Sequence, residues 1–414
     1  MSDERVSLRT SLSSLASGYA WVMLGVATAL HATDAMARQG LPALGPFFQR
    51  DLGLSLTEVG LLTTSISVGG ALTMVHGGRL SDVAGVRVAM LVGLALNGLT
   101  LAALSFADSF LTAFICCALV GLGHGPISPA GTKAAMGWFS ARARGTAMSL
   151  KQTGVPIGGI LGAAILPAIA SGYGWPSACL FLAGVTFVMA VALYLIARNA
   201  PDERQFASHG KIESMGVRQF LANRELVALS VTGMCFVTAQ LALITYAALY
   251  ARDVLGVSPV VAGGYLAIAQ AGGGIGRIAW GLLSDGYYRG ARKPVLRIIG
   301  LTSAASALGM AVVAPYVGTV IVAVLLFVFG FAAIGWTGVY LAMLGEIAGK
   351  DSVGSAAGFA LLFNQIGIMA GPPLFGIVVD FTKSYDAGWL VLAVTLLLTT
   401  LCLVGRLQEG TRGG

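Results

Sequence analysis

Twelve stretches of predominantly apolar residues, each about twenty residues or longer, run through this chain, and a polypeptide with that pattern is built to cross a lipid bilayer many times. They fall at residues 19–48, 56–77, 88–106, 110–136, 146–170, 175–197, 226–250, 259–283, 294–315, 317–341, 355–379 and 387–406. Composition closes the soluble alternative. Of 414 residues, 56% are hydrophobic and only 10% charged, too little charged surface to cover a water-soluble domain of that size. The expected class is an all-α membrane protein of twelve transmembrane helices. Its 57 glycines let such helices approach closely. The five cysteines, at positions 116, 117, 179, 235 and 402, sit inside apolar runs without metal-ligand spacing, so no metal site and no cofactor is expected.

Basic residues set the orientation. With both ends in the cytoplasm, 19 of the 25 lysines and arginines fall on the inner side, Arg38, Arg50, Arg252 and Lys383 belong to the outer side or outer helix ends, and Lys133 and Lys151 lie inside apolar segments. That bias places both termini inside. It also accounts for the formal net charge of +7 without a nucleic-acid partner, because the bases are scattered over short loops. Residues 1–18 read as a cytoplasmic tail without a cleavable leader, 19–197 as a six-helix bundle, and 198–225 as a mixed-charge cytoplasmic linker whose later part suits an amphipathic surface helix. Residues 226–406 form the second bundle and 407–414 a short tail. The expected location is a bacterial inner membrane, crossed many times by a chain that functions as a monomer in the lipid bilayer.

An internal repeat supports the division. Gly78-Arg-Leu-Ser-Asp82 recurs as Gly281-Leu-Leu-Ser-Asp285 at an offset of 203, which also carries Gly53, Ser55 and Gly60 onto Gly256, Ser258 and Gly263. Further along, Gly125, Gly145, Gln152, Gly154 and Gly158 map onto Gly338, Gly358, Gln365, Gly367 and Gly371 at an offset of 213. The change of ten is expected as an insertion in the loop after Asp285. Two such units side by side imply alternating access around a site near the membrane midplane.

Gly78, Asp82, Gly85 and Arg87 match the signature between helices 2 and 3 of the major facilitator superfamily, which the chain resembles over essentially its whole length in helix count, topology, central linker and second motif copy. The resemblance implies two pseudo-symmetric six-helix bundles. It also implies that Gly78, Asp82 and Arg87, with Asp285 in the second copy, act as a cytoplasmic latch in the outward-open state. The second copy departs from the pattern after Asp285, where Gly286-Tyr-Tyr-Arg289-Gly290 lacks the glycine three residues on. Without the family, Gly78 permits close backbone approach and Asp82 can accept hydrogen bonds from a helix start or an arginine.

Helix 5 reads Lys151-Gln-Thr-Gly-Val-Pro-Ile-Gly-Gly159, answered in helix 11 by Asn364 to Pro373. It resembles the glycine–proline region of superfamily exporters, but Val155 separates Gly154 from Pro156, a departure that weighs against efflux. Packing of helix 5 on helix 8, and of helix 11 on helix 2, is the simpler expectation for these residues.

Charges inside hydrocarbon face a cavity or one another. His31, Asp34 and Arg38 share one face of helix 1; either Asp34 and Arg38 pair to close a helix end near the outer side, or at least one of the three handles substrate or proton. Arg277 precedes Gly281 by four residues, a spacing similar to helix 8 of the monocarboxylate and oxalate/formate transporter families, where that arginine engages a substrate carboxylate. The resemblance makes Arg277 a carboxylate ligand, while its nearness to the cytoplasmic end also permits snorkelling or a pair with Asp285. The helix 1 lysine of the animal monocarboxylate carriers is missing here. Lys151 has no acidic neighbour one turn away. Lys133 and Glu346, equivalent by the second offset, read as a cytoplasmic closing pair. Tyr246, Trp336, Tyr340 and Asn364, with Tyr250, Gln240, Gln270 and Gln365, can supply walls and hydrogen bonds. His124 joins His31 and Asp34 as a proton-coupling candidate.

Embedded bases outnumber embedded acids, which favours an anion. The expected function is proton-coupled uptake of a small organic anion such as a carboxylate. Proton-driven export of a metabolite or drug, and transport of an inorganic anion such as nitrate or nitrite, are the alternatives. A non-transporting sensor has no signalling domain to support it, and an enzyme has no nucleotide loop, metal cluster or nucleophilic triad.

Overall fold

The computed structural model describes residues 2–139, 144–198, 221–348 and 353–407. Arg142, Lys350, most of the expected linker with its amphipathic segment, and the tail beyond Leu407 lie outside them. The first half comprises α1 (Ser2–Gly40), α2 (Leu56–Val83), α3 (Val86–Leu104), α4 (Phe110–Gly137), α5 (Arg144–Gln152 and Gly154–Tyr173) and α6 (Trp175–Ile196). The second comprises α7 (Arg224–Leu255), α8 (Pro259–Leu282), α9 (Lys293–Val312), α10 (Thr319–Ala333 and Thr337–Ala348), α11 (Val353–Thr382) and α12 (Tyr385–Leu398).

Ten of these helices are long and apolar enough to cross a membrane by themselves. The other two, α1 and α8, are diluted by His31, Asp34 and Arg38 in one and by Gln270, Arg277 and a run of glycines in the other. These are the two helices on which the polar centre is built.

The repeat has a physical basis at the helix ends. Gly53 and Gly256 end the preceding helices in the left-handed region, with φ of 66° and 65°, where a Cβ is strained. Two residues on, Ser55 and Ser258 cap α2 and α8, accepting from the amides of Glu58 and Val261. The ten-residue change of offset is not confined to the loop after Asp285. Val86 and Lys293 open α3 and α9, a separation of 207, and Phe110 and Thr319 open α4 and α10, a separation of 209. The insertion is therefore spread over several connections, which short loops absorb more easily than one long excursion.

Helix α1 begins at Ser2, so the expected tail is helical, and the chain does not end its crossing at Gly40. Pro42 and Pro46 sit in the first turns of a short 3₁₀ segment, Leu41–Leu44, and of a further helix, Gly45–Leu52. This continuation moves Asp34 and Arg38 from the expected outer end to the middle of the crossing.

Glycine governs the packing within each half. Gly154, Gly158 and Gly162 of α5 lie against Thr28, Ala32 and Gly40 of α1, and Gly367 and Gly371 of α11 lie against Met234 and Thr238 of α7. The expected partners, α8 and α2, take fewer of these glycines because they lie across the seam between the halves. Inside α4, Pro126 deprives the Leu122 carbonyl of its amide donor, and the Thr73 hydroxyl of α2 donates to it at 2.9 Å.

The halves meet along two seams, α2 with α11 and α5 with α8. Their outer portions are tightly closed: a Cβ on Gly60 would come within 2.7 Å of the Pro372 backbone, and one on Gly263 within 2.4 Å of the Ala163 carbonyl oxygen. At the inner ends, the positions of a Cβ on Gly78 and on Gly281 have nothing within 4 Å. The close approach expected of Gly78 is thus unmade. The molecule is shut outside and parted inside, an inward-facing arrangement.

Candidate functional site

Asp34 is the hub of the first half. It is 2% exposed, its Oδ2 accepts from Arg38 Nε at 3.0 Å, and the same oxygen lies 2.9 Å from His124 Nδ1 of α4. The second oxygen, Oδ1, is buried without a hydrogen-bond partner. The i, i+4 pair read from the sequence therefore forms, but inside the bundle and with a third member.

One turn inward, His31 Nδ1 donates to the Ala27 carbonyl at 3.2 Å, which leaves Nε2 as the free ring nitrogen of the neutral tautomer. Its ring edge lies against Gly131, beside Lys151 Cε. Lys151 is 1% exposed and its Nζ donates to Thr132 Oγ1 at 2.8 Å. Among the described residues no carboxylate stands within ion-pairing distance of it. The glycines that bring α5 onto α1 are what hold this ammonium below Asp34.

From the second half, α8 presents Gln270, Gly274 and Arg277 on one stripe toward α5, fixed by Gln270 on Gly159 and Gly274 on Pro156. Arg277 is half-buried, with Nε enclosed and unpartnered. The pairing with Asp285 left open by its sequence position is not made: Asp285 is held by Arg292, which also donates from Nε to Glu346 Oε1 at 3.1 Å.

Helix α10 is broken at mid-depth, between Ala333 and Thr337, where Gly335 presses on Gly276 of α8. Trp336 occupies the break. Its Nε1 donates to Gln240 Oε1 at 3.0 Å, and its ring stands edge-on to Tyr340 at 4.9 Å. Tyr340 and Asn364 converge on Gly233 of α7, where a Cβ would lie 2.6 Å from both the tyrosine hydroxyl and Asn364 Oδ1. Trp336, Tyr340 and Asn364 thus form one group on the second half.

Tyr246 does not join it. Fully buried, it directs its hydroxyl to the Leu56 and Pro372 carbonyls at 2.9 and 2.7 Å, so it belongs to the outer seal and not to a cavity wall. Lys133 and Glu346 do not face each other either: Lys133 pairs with Asp82 and Glu346 with Arg292, each within its own half. In this inward-facing arrangement these inner charges are satisfied locally. Arg87 reaches the Tyr194 carbonyl and lies over that ring at 4.6 Å, in the first half as well.

Sequence reasoning missed the outer latch. Asp380, at the end of α11, accepts from the Leu56 amide at 3.2 Å, the Thr57 amide at 2.8 Å and the Thr57 hydroxyl at 2.6 Å, capping α2 from the other half. Arg252 of α7 adds a bond to the Pro46 carbonyl at 2.7 Å and one to Gln49. In the sequence each is an ordinary charge at the edge of an apolar run, with no spacing to mark its partner.

Comparison with known proteins agrees with this architecture. The Major Facilitator Superfamily profile matches residues 12–372. A hexuronate transporter of Bacillus subtilis is 27% identical over 381 residues, covering 89% of this chain and 90% of that protein. A probable sulfoacetate transporter of Cupriavidus necator is 22% identical, with 89% and 90% covered. In fold, the chain superposes on an inward-facing, unoccupied bacterial homologue of the human lysosomal transporter Spinster with a TM-score of 0.78 at 15% identity, over 93% of this chain and 96% of that one. The twelve helices, the duplicated motif and the family match lead to one conclusion: this chain belongs to the Major Facilitator Superfamily of membrane transporters.

Proposed function

We propose that this transporter takes up a small organic anion, of the carboxylate class, together with a proton. The observation that carries the reading is Lys151: an ammonium 1% exposed within the membrane part, with a threonine hydroxyl as its partner and, among the described residues, no carboxylate within ion-pairing distance. A buried cation left in that state is a strong attractor for an anion. Arg277, with its unpartnered Nε on the facing helix of the other half, supplies a planar fork for the two oxygens of a carboxylate. The names of the hexuronate and sulfoacetate transporters, both carriers of organic anions, support the same class.

Coupling follows from Asp34. While ionised it holds Arg38 through Oδ2. A proton on Asp34 removes the charge that holds Arg38 and frees the guanidinium to join the anion site. His124 and His31 flank the carboxylate along α4 and α1 and serve as its proton donors and acceptors. Binding of anion and proton would favour rocking of the halves, and the pairs Asp82–Lys133 and Asp285–Arg292–Glu346 would then exchange partners as the inner seam closes.

Proteoliposome uptake tests this. Saturable uptake of an organic anion should rise with an inward-directed proton gradient, and Lys151→Ala and Arg277→Ala should each lower it by about tenfold or more. Asp34→Asn should abolish the response to the gradient yet permit anion exchange. Unchanged anion transport in both basic variants would sink the assignment.

A further inference from the structure

Gln270 is 0% exposed, and neither its Nε2 nor its Oε1 has a hydrogen-bond partner. Gln39 Oε1, on α1 of the other half, is likewise buried and unpartnered. The two side chains meet over Gly159 of α5: a Cβ there would lie 2.8 Å from Gln270 Cδ, 2.9 Å from its Nε2 and 3.0 Å from Gln39 Oε1. A fully enclosed carboxamide with both functions unmatched is expensive to keep, which points to a group that satisfies it during the transport cycle.

Position says where that group comes from. Outward of the pair the protein is shut, with Gly40 on Gly162 and Gly263 on Ala163 and Pro167. Inward of it, Gly274 meets Pro156, and Arg277 and Lys151 follow on α8 and α5. Gln39 and Gln270 are therefore the apex of the inward-facing site, contributed by opposite halves. As the outer seam parts, the same two groups become its outward-facing floor, which is the requirement for a central ligand.

Chemistry narrows the ligand. Carboxylates ask only for donors, and the cations already supply those. A carboxamide offers one acceptor and two donors, so it is matched by groups that both donate and accept, which are hydroxyls. Resting on the organic-anion reading above, we infer that Gln39 and Gln270 form a hydroxyl-reading subsite, and that the transported anion is a polyhydroxylated carboxylate of the sugar-acid class. Its carboxylate lies toward Arg277 and Lys151 and its hydroxyl-bearing carbons toward the apex.

The test is ligand-induced thermal stabilisation of the purified full chain, titrated with glucuronate, which carries hydroxyls, and with sulfoacetate and propionate, which carry none. Glucuronate should bind the wild type more tightly than the other two. Gln270→Leu and, separately, Gln39→Leu should weaken glucuronate by about tenfold or more while changing sulfoacetate by less than about threefold. Should Gln270→Leu not fold, Gln39→Leu and Gln270→Asn, which withdraws the amide by one carbon, carry the same expectation. Equal losses for all three anions, or none, overturn the hydroxyl-reading role and leave the anion site standing. Binding of no anion by the wild type overturns the organic-anion reading itself, and this inference with it.

Discussion

The two seams between the halves are counterparts in the repeat, since α2 corresponds to α8 and α5 to α11, yet they are sealed by different physics. The α2–α11 seam is polar. Asp380 caps α2 with three hydrogen bonds, Tyr246 bridges two carbonyls, and Thr64 Oγ1 donates at 3.0 Å to the Met369 carbonyl. That carbonyl is one that Pro373, four residues on, leaves without its helical donor. The α5–α8 seam is steric. Pro167 frees the Ala163 carbonyl in the same way, but what approaches it is the backbone of Gly263, which brings no N–H or O–H to it. Both seams fit glycine closely against backbone, Gly60 on Pro372 in one and Gly263 on Ala163 in the other, but only the α2–α11 seam adds a latch made of bonds that break, while the α5–α8 seam is a bearing of fitted surfaces alone. The difference assigns separate tasks: the polar seam sets how stable the outward-closed state is, and the glycine seam sets how closely the halves come together.

Removing the latch should have the largest effect. Asp380→Ala deletes three hydrogen bonds to a carboxylate, each worth about 1.5–3 kcal/mol when a charge is involved, less where water can replace the lost partner. The inward–outward equilibrium should move outward by about tenfold to a hundredfold. Labelling of a single cysteine placed at Thr63, which meets Thr245 of α7 in the other half, by an impermeant maleimide from outside measures this directly, in a background without the five native cysteines. No acceleration would mean the latch contributes nothing to closure.

Next comes the bearing. Gly263→Ala puts a methyl group 2.4 Å from the Ala163 oxygen and 2.6 Å from Pro167 Cγ, backbone and ring atoms that cannot swing aside. Overpacking of this kind costs about 1–3 kcal/mol. The outward-closed state should weaken by about tenfold in the same labelling assay, without loss of any hydrogen bond. Combined with Asp380→Ala, the effects should add if the seams are independent, and a non-additive double variant would show that they close as one unit.

These contacts divide what the sequence reveals from what it hides. Apolar runs fix the helices, because spanning a bilayer demands them, and the Gly–x–Ser signals at 53–55 and 256–258 mark real helix ends. Their limits are less legible. Helix α7 runs to Leu255 and α11 to Thr382, beyond apolar segments ending near residues 250 and 379, because a helix continues past the hydrocarbon edge until something caps or turns it. Asp380 therefore looks like a flanking charge in the sequence and is a cross-half cap in three dimensions. At the site, Asp34 with Arg38 is legible as an i, i+4 pair, whereas His124 joins it from ninety residues away, where no spacing rule reaches. The pairing of Arg292 with Glu346, fifty-four residues on, escapes notice for the same reason: tertiary packing of separate helices chooses these partners.

Within the polar seam, Thr64→Val should act more weakly than loss of Asp380. It keeps the side-chain shape and removes one hydroxyl, leaving the Met369 carbonyl unsatisfied at a cost of about 1–3 kcal/mol if it stays dry. Maleimide labelling at Thr63 should rise by about threefold to tenfold. Thr64→Ser, which restores the donor, should return it to the wild-type rate. Failure of serine to rescue would show that the methyl packing matters there and the hydroxyl does not.

The smallest effect, and the one of opposite sign, is expected at the inner end. A Cβ on Gly78 meets nothing within 4 Å in this inward-facing arrangement, so Gly78→Ala adds no clash to it and gains the better helix propensity of alanine, about 1 kcal/mol at most. The outward-facing state, in which the halves close at the inner end, must accommodate the extra methyl group. Labelling at Thr63 should therefore fall by about twofold to fivefold, and the substitution should partly reverse the gain caused by Gly263→Ala when the two are combined. A rise in labelling would mean that the inner seam does not close over Gly78, and the two ends of α2 would then have to be regarded as working by unrelated contacts.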